Sequence, residues 1–446
     1  MQDIPFNVYV PNLPSRRERK ENIHHEFKNR GEFHLNVVPA FEHTIGAIGL
    51  WKTIEYILRG LVSKEEDFII LCEDDHHFEE SYNCHFLIEK IKEAQEKDAD
   101  ILSGGISWFT DAIQISKDLF WVEKFSGLQF TVIFKKFYDK ILSADFVAGD
   151  AADYKISSLT ENKFVIYPFI STQKEFGYSD VTNSNNEVGY ISRIFKECSR
   201  RFEILKKVSN FYRRKSQVVI NERGYENIII PTYIINPKSE VEGLNHIQME
   251  FINKPEFNIQ VIETCKHVIG PVGLWNSIIK IIKTAIENED EVIIICEDGH
   301  QFTAHYSREY LISNILRASM QDVEILSGGI GGFKHAVPVT KNRYWINSFQ
   351  CSQFTILYKS IFKKILNEPF QDTDTADSIL SKISSHKMTL YPFISVQKDF
   401  GYSDVGLFNK KTSELITQKF KDTNTRLNKY KEVYEKYVER VNNLSV

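Results

Sequence analysis

Short apolar runs alternate with amphipathic stretches along the first half of the chain. The runs are typical of buried strands, and stretches with apolar residues three and four positions apart are typical of helices that pack by one face. The predicted strands are FNVYVPNL, DFIILC, ADILSGG, the start of FTVIFKKFYDKIL, and FVIYPFI, and the predicted helix is IGLWKTIEYILRGL. This alternation predicts an α/β fold of Rossmann-like type, with functional groups after the carboxyl ends of strands.

The second half repeats the first at a constant offset. HTIGAIGLW at His43 returns as HVIGPVGLW at His267, and ILSGGI at Ile101 returns at Ile325; both pairs are 224 positions apart (267 − 43 and 325 − 101). A repeat of this length is too long for a solenoid, so each copy is predicted to be a whole domain.

The predicted domains are residues 1–216 and 217–446, and each ends in a charged helical segment. The boundary is placed near Gln217. The first such segment, 191–215, carries nine lysines and arginines with aromatic residues between them. A basic amphipathic helix can lie on an anionic membrane surface, where a lipid-linked substrate would be found. The alternative is a solvated helix that connects the two domains.

Composition places the chain among globular proteins. Apolar residues make up 42% and charged residues 26%, and the net charge is −5, which favours no nucleic-acid partner. The six cysteines form no CxxC pair and are predicted to be free thiols of a reducing compartment. The N-terminus does not resemble a signal peptide, and no apolar run approaches the ~20 residues of a membrane helix. These features predict a cytoplasmic protein.

An acidic triplet follows one buried strand directly. In FIILCEDDHHF, the triplet is Glu73, Asp74 and Asp75. Adjacent carboxylates repel one another, and a divalent cation is the usual compensation. Oxygen ligands favour Mg²⁺ or Mn²⁺, which take one or two carboxylates together with substrate phosphates. The alternative is a solvated acidic turn before a helix.

A basic cluster follows the first strand. NLPSRRERKENI contains Arg16, Arg17 and Arg19, and arginine is suited to bidentate recognition of phosphate. By itself the cluster could be an exposed helix start. Together with the acidic triplet it favours a nucleotide-diphosphate site.

Six segments in a fixed order resemble glycosyltransferase family 25, which includes bacterial lipooligosaccharide and collagen galactosyltransferases. The resemblance extends from Val8 to Val181 over NLPSRRERKENI, GAIGLWKTI, FIILCEDDHHF, GLQFTVIFKKFYDKIL, AADYKI and PFISTQKEFGYSDV. It implies a GT-A fold, a UDP-sugar donor, a divalent Mn²⁺ or Mg²⁺ ion, inversion at the anomeric carbon, and a role in surface-glycan synthesis. Glycan, lipid-linked sugar and polypeptide all stay open as acceptors.

The resemblance also implies roles for individual residues. Asp75 matches the metal contact, with Glu73 beside it, and Asp153 matches a carboxylate that would act as base, with Asp150 close by. The donor-binding residues implied are Arg16, Arg17, Arg19, Glu73, Asp74 and Gln173. Ser179 and Asp180 fit the closing motif. One departure is the sequence 48–50, where Ile-Gly-Leu stands in place of the family's Ser-His pair.

The second copy lacks part of this set. Gly299 stands at the position of Asp75, while Glu240, Val241 and Gly243 stand at those of the three arginines. The apolar framework is kept, as in Trp51 and Trp275. We therefore expect the first domain to be catalytic and the second to be degenerate, with a structural or acceptor-binding role. The alternatives are a bifunctional enzyme, since Asp374 and Asp377 are retained, and a protein that binds nucleotide sugars without transfer.

Overall fold

The computed structural model describes residues 5–177, 187–215, 227–236, 241–398 and 410–439. The chain forms two compact units, one of Met1–Lys206 with Tyr437–Val446 and one of Lys207–Lys436. The division lies inside a helix, between Lys206 and Lys207. Gln217, where the sequence places the boundary, lies outside the described residues.

The first unit is built from strands and helices in alternation. Its strands are β1 (Phe6–Asn12), β2 (Phe33–Pro39), β3 (Phe68–Leu71), β4 (His76–Phe78), β5 (Ile101–Ser103), β6 (Trp108–Phe109), β7 (Ala112–Gln114), β8 (Leu119–Val122), β9 (Phe125–Ser126), β10 (Thr131–Phe134), β11 (Lys163–Ile166) and β12 (Ser171–Gln173). Its helices are α1 (Arg17–Glu26), α2 (Gly46–Tyr56), α3 (Cys84–Glu96), α4 (Tyr138–Leu142), α5 (Ala152–Ser158) and most of α6 (Tyr190–Lys215).

The second unit has the same alternation. Its strands are β13 (Ile230–Asn236), β14 (Phe257–Glu263), β15 (Val292–Glu297), β16 (His300–Phe302), β17 (Ile325–Ser327), β18 (Ala336–Thr340), β19 (Arg343–Ile346), β20 (Phe354–Tyr358), β21 (Lys387–Leu390) and β22 (Ser395–Gln397). Its helices are α7 (Val241–Glu250), α8 (Gly270–Glu287), α9 (Arg308–Met320), α10 (Lys359–Asn367), α11 (Ala376–Ile383) and α12 (Lys410–Tyr434).

Each unit has one large mixed sheet, which confirms the predicted α/β class. The strand order in the first is β2-β1-β3-β10-β5-β11-β8-β7, and in the second β14-β13-β15-β20-β17-β21-β19-β18. β1 runs parallel to both β2 and β3, while β10 is antiparallel to its neighbours β3 and β5. The chain therefore moves to one side of β1 to form β2 and to the other side to form β3. A reversal of this kind is a topological switch point.

Helices cover the sheets through apolar faces that the sequence pattern indicates. On α2, Trp51 and Ile54 are buried, and Trp51 stacks on Phe146 with ring centroids 4.6 Å apart. The second unit repeats this contact between Trp275 and Phe370 at 5.0 Å. The shared stacking explains why the apolar framework is retained at a constant offset.

Helix α6 contains the basic segment 191–215. Its apolar side is buried, and Phe202 packs against Phe109 and Phe120 of the first unit. Two of its basic side chains bind the same unit: Arg201 donates to the Phe109 carbonyl, and Lys206 pairs with Asp118 at 2.8 Å. Contact of this helix with a membrane surface stays a prediction. Within the described ranges, no helix has the length and apolar character that crossing a bilayer requires.

Candidate functional site

The arginine cluster and the acidic triplet meet at the switch point of the first sheet. Arg16 and α1 follow the carboxyl end of β1, and Glu73 to Asp75 follow the carboxyl end of β3. Because β1 and β3 are parallel neighbours, their carboxyl ends open onto the same crevice. Ligands of open α/β sheets bind at this location.

Asp74 and Asp75 are held by arginines rather than left to solvent. Arg19 donates through Nη1 to Asp74 Oδ1 at 2.9 Å and to Asp75 Oδ2 at 3.1 Å. Arg16 Nη1 lies 3.7 Å from Asp74 Oδ2, which also accepts from Asn12 Nδ2 at 3.0 Å. Arg19 and Asp74 are both buried, so this is a desolvated ion-pair group and not a solvated acidic turn.

Asp75 keeps one carboxylate oxygen without a partner. Its Oδ1 is buried and has no hydrogen-bond partner among the described residues. Burial raises the pKa of Asp75 to about 6, against the lowering effect of Arg19. An ionised carboxylate with a buried, unpartnered oxygen is costly, and a cation placed at that oxygen would offset the cost.

Glu73 belongs to a second group of carboxylates. Burial, followed by the charges of Asp75 and Asp153, raises the pKa of Glu73 well above its usual value, while a hydrogen bond from Gln173 lowers it. That bond joins Gln173 Nε2 to Glu73 Oε2 at 2.7 Å. The structure thus brings together predicted residues from the loop after β3, from β12 and from α5, although they are far apart in sequence.

Asp153 anchors the loop after β9. Its Oδ2 accepts from Ser126 Oγ at 2.6 Å and from the Gly127 backbone N–H at 2.9 Å, and its Oδ1 accepts from the Tyr154 N–H at 2.8 Å. Gly127 has a φ of 111°, which explains the glycine there.

Two predicted site residues lie apart from these groups. Arg17 is exposed on α1. Asp150 accepts from the Val147 N–H and from Lys155 Nζ, both at 3.0 Å, in the turn before α5. It is not among the carboxylates that raise the pKa of Glu73. Ser179 and Asp180 lie outside the described residues.

The structure adds residues that sequence reasoning missed. Asn12 holds Asp74, and Phe176 lies under Arg19, with the guanidinium carbon 4.9 Å from the ring centroid. Gln129 is fully buried and donates to the Gly105 carbonyl at 2.6 Å, while its Oε1 has no partner among the described residues. The sequence could have indicated Asn12, because both copies of the repeat have an asparagine at the end of this buried strand, Asn12 in the first and Asn236 in the second.

The second unit has a different arrangement at the corresponding place. A Cβ at Gly243, the counterpart of Arg19, would lie 2.8 Å from Asp298 Oδ2, so a side chain there requires Asp298 to move. A Cβ at Gly299, the counterpart of Asp75, would meet its nearest heavy atoms at 3.5 Å, which is ordinary contact. There is therefore room for a side chain at position 299, and packing does not explain the missing carboxylate. At position 243 there is no such room, so packing agrees with the missing arginine.

The carboxylate pair is nevertheless retained in the second unit. Glu297 and Asp377 line a pocket together with Ser352, Thr355 and apolar side chains that include Leu274. Burial, then the charges of Asp377 and Asp298, raises the pKa of Glu297 to about 8, and burial raises that of Asp377 to about 6. Asp377 accepts from the backbone of Cys351, whose φ of 56° reproduces the positive φ of Gly127.

Substituting Glu297 by glutamine should stabilise the protein at alkaline pH. The folded state binds the Glu297 proton more tightly than the unfolded state does, because the pKa is raised from 4.5 to about 8. The wild type therefore loses stability as the pH rises from about 4.5 to about 8, and the loss is complete above that range. At about pH 9 we expect Glu297→Gln to be more stable by roughly 2–4 kcal/mol, with the two proteins converging near pH 4.

Denaturant unfolding at both pH values measures this difference. Glu287→Gln is the matched control, because Glu287 is an exposed glutamate of the same unit, and we expect it to have no effect at either pH. Equal stability of Glu297→Gln and wild type at about pH 9 would contradict a raised pKa of Glu297.

The described residues contain no group of three or more histidine, cysteine, aspartate or glutamate side chains arranged to hold a metal ion. A cation that takes one or two carboxylates and completes its shell with phosphate oxygens and water does not need such a group. Asp75, whose Oδ1 has no hydrogen-bond partner in the part of the chain that the structure describes, fits a cation of that type.

No protein-family model matches the chain, and no curated protein matches it. Solved structures that resemble part of it include A197 from STIV, with 15% identity and a TM-score of 0.29, covering 40% of this chain and 87% of that one. Another is apo UDP-glucose pyrophosphorylase, with 8% identity and a TM-score of 0.25, covering 44% of this chain and 80% of that one. Likenesses at this level assign neither a family nor an activity.

Proposed function

We propose that the first unit is a GT-A-type glycosyltransferase domain that moves a hexose from a UDP-sugar to a hydroxyl acceptor with inversion. The observation that carries the proposal is the ion-pair group at the switch point, in which Arg19 and Asp74 are buried and Arg16 and Asp75 half-buried, and in which Asp75 Oδ1 has no hydrogen-bond partner among the described residues. The motif resemblance to glycosyltransferase family 25 supports the same function, and with it a role in surface-glycan synthesis.

The charges of this group suit a diphosphate bound with a cation. Asp75 would contact Mn²⁺ or Mg²⁺, and Glu73 is the nearest further carboxylate on the same loop. Arg16 and Arg19 lie on the α1 side of the crevice. A guanidinium is suited to bidentate recognition of phosphate oxygens. When bound, the cation would offset charge on the leaving diphosphate.

In the proposed reaction, the acceptor oxygen forms a bond to the anomeric carbon while the bond from that carbon to the diphosphate oxygen breaks. UDP leaves with the bonding electrons. The acceptor hydroxyl proton passes to the Glu73–Asp153 pair. Within this pair, burial and the charges of Asp75 and Asp153 raise the pKa of Glu73, which increases its affinity for a proton. The donors around Asp153 hold that residue to the loop after β9.

Titration calorimetry of UDP with Mn²⁺ into the full chain tests the proposal. We expect one site per chain, binding that depends on Mn²⁺, and release of UDP from a UDP-hexose in the presence of the protein. Absence of UDP binding with and without Mn²⁺ would overturn the proposed function. UDP binding without any turnover would instead favour a nucleotide-sugar-binding protein.

A second candidate function is transfer by both units, and the pocket lined by Glu297 and Asp377 favours it. The same titration separates the two candidates through Asp298→Ala. One site that survives this substitution indicates a single working unit. Two sites, one of which is lost in Asp298→Ala, indicate that the second unit binds nucleotide without Asp75's counterpart.

A further inference from the structure

Two exposed aromatic rings lie next to Asp153. Trp108 is 40% exposed and Tyr154 is 48% exposed, and the two rings make an edge-to-face contact with centroids 5.9 Å apart. Trp108 pairs with Ser126 in the β6–β9 ladder, and Ser126 donates to Asp153. Tyr154 directly follows Asp153 at the start of α5. We call Trp108 and Tyr154 the aromatic platform.

The exposure of Trp108 sets it apart from the other tryptophans. The chain has five, and the other four, Trp51, Trp121, Trp275 and Trp345, are at most 5% exposed. A tryptophan side chain contributes a large apolar area to a protein when it is buried. An exposed tryptophan paired with an exposed tyrosine is therefore an apolar surface that no part of the described protein covers. Its position beside the carboxylate pair suits it to contact a bound substrate.

The neighbours of the platform are hydrogen-bonding groups. Ser126 Oγ, the Asp153 carboxylate and the Tyr154 hydroxyl lie together at the edge of the rings, and Ser126 hydrogen-bonds to both Asp153 and Tyr154. A pyranose ring has a matching form: one face presents C–H groups that stack on an aromatic ring, and the rim presents hydroxyls. Two rings with a polar edge fit a sugar better than they fit a protein surface, which needs a contact on the order of 800 Å² on each side.

The second unit lacks the platform although it retains the carboxylate. Asp377 occupies the position of Asp153, but Gly332 and Ser378 stand where Trp108 and Tyr154 stand in the first unit. The aromatic pair thus occurs only in the unit that also has Arg19 and Asp75. A purely structural role for the rings would apply equally in the second unit, where the same loop is anchored to Asp377.

We propose that Trp108 and Tyr154 bind the acceptor glycan, stacking on a pyranose ring and placing its hydroxyl beside the Glu73–Asp153 pair. This inference rests on the proposed transferase function and names its acceptor as a carbohydrate. In this proposal the aromatic platform contacts the acceptor and does not contact the nucleotide.

Acrylamide quenching of tryptophan fluorescence tests the platform, because Trp108 is the one tryptophan open to the quencher. The probes are lactose, cellobiose and chitobiose, added to the full chain with UDP and Mn²⁺. We expect at least one disaccharide to lower the quenching constant to about half, since a bound ligand buries most of its own surface and covers the ring. In Tyr154→Ser, which introduces the residue of the second unit, the protection should be lost.

Tyr56→Ser is the matched control. Tyr56 is an exposed tyrosine of the same unit, 47% exposed, in an edge-to-face contact with Phe41. Protection should survive this substitution. The inference is overturned when no disaccharide protects Trp108 in a wild-type protein that binds UDP, or when protection persists in Tyr154→Ser. Failure of the wild type to bind UDP would instead count against the proposed function.

Discussion

Replacing Asp75 by asparagine should abolish Mn²⁺-dependent UDP binding and leave the protein folded. The substitution removes a charge and places an amide at the buried carboxylate group whose Oδ1 has no hydrogen-bond partner in the described ranges. An amide is a weaker ligand for a hard cation than a carboxylate is, so the affinity for UDP with Mn²⁺ and the rate of sugar transfer should both fall by at least about 100-fold.

The stability of Asp75→Asn distinguishes lost binding from lost folding. In the wild type the folded state binds the Asp75 proton more tightly than the unfolded state does, because burial raises the pKa from 3.8 to about 6. The wild type therefore loses stability as the pH rises from about 4 to about 6, and the loss is complete above that range. Without ligand, Asp75→Asn should be as stable as the wild type at neutral pH, or more stable by about 1–2 kcal/mol.

Calorimetry and denaturant unfolding on the same samples check both parts. Asp150→Asn is the control, because Asp150 is a carboxylate of the same unit whose partners are Val147 and Lys155. We expect this control to retain UDP binding. Unchanged Mn²⁺-dependent binding in Asp75→Asn would remove Asp75 from the proposed cation site.

Replacing Arg19 by alanine should destabilise the first unit strongly at neutral pH. The substitution leaves Asp74 and Asp75 without the guanidinium that contacts both at 2.9 and 3.1 Å. Removing one partner of a buried ion pair costs about 3–5 kcal/mol, because the remaining charge stays desolvated. Arg17→Ala on the same helix is the control, and a change of an exposed side chain should stay within about 0.5 kcal/mol.

The pH dependence identifies the cause of the Arg19→Ala effect. Arg19 lowers the pKa of Asp75, so its removal raises that pKa further above 6. The folded variant then binds protons more tightly than the folded wild type, and its stability falls more steeply as the pH rises. The difference between variant and wild type should be largest near pH 8 and should shrink toward about pH 4, where Asp75 is protonated in the folded state of both proteins.

Chemical denaturation of Arg19→Ala at several pH values measures this dependence. A deficit that stays constant from about pH 4 to about pH 8 would indicate lost packing of the arginine side chain, for example on Phe176, and not unbalanced charge.

Several elements of the fold were predictable because their signal is local. The predicted strands correspond to β1, β3, β5, β10 and β11, and the predicted helix is α2, which continues as a π-helical turn. Strand β2 was missed: it lies at the edge of the described sheet beside β1, and most of its side chains are at least partly exposed, so its apolar pattern is weak. The β7–β8 hairpin was missed for a different reason. Its residues, such as Trp121, are buried by contacts with distant parts of the chain, so the local sequence shows no alternation of apolar and polar positions there.

The candidate site divides in the same way. The sequence by itself determined that the chain is duplicated, that both copies are α/β, and that Asp75 and Arg19 have no counterparts in the second copy, because repeats and charged motifs are properties of the order of residues. Only the tertiary structure decided which of these residues meet. Arg19 contacts both Asp74 and Asp75, whereas Arg17, two residues earlier on the same helix, is exposed. The charge of Asp153 raises the pKa of Glu73. Their energetics depend on burial and on distances across strands that are far apart in sequence, and these exist only once the sheet has closed over its core.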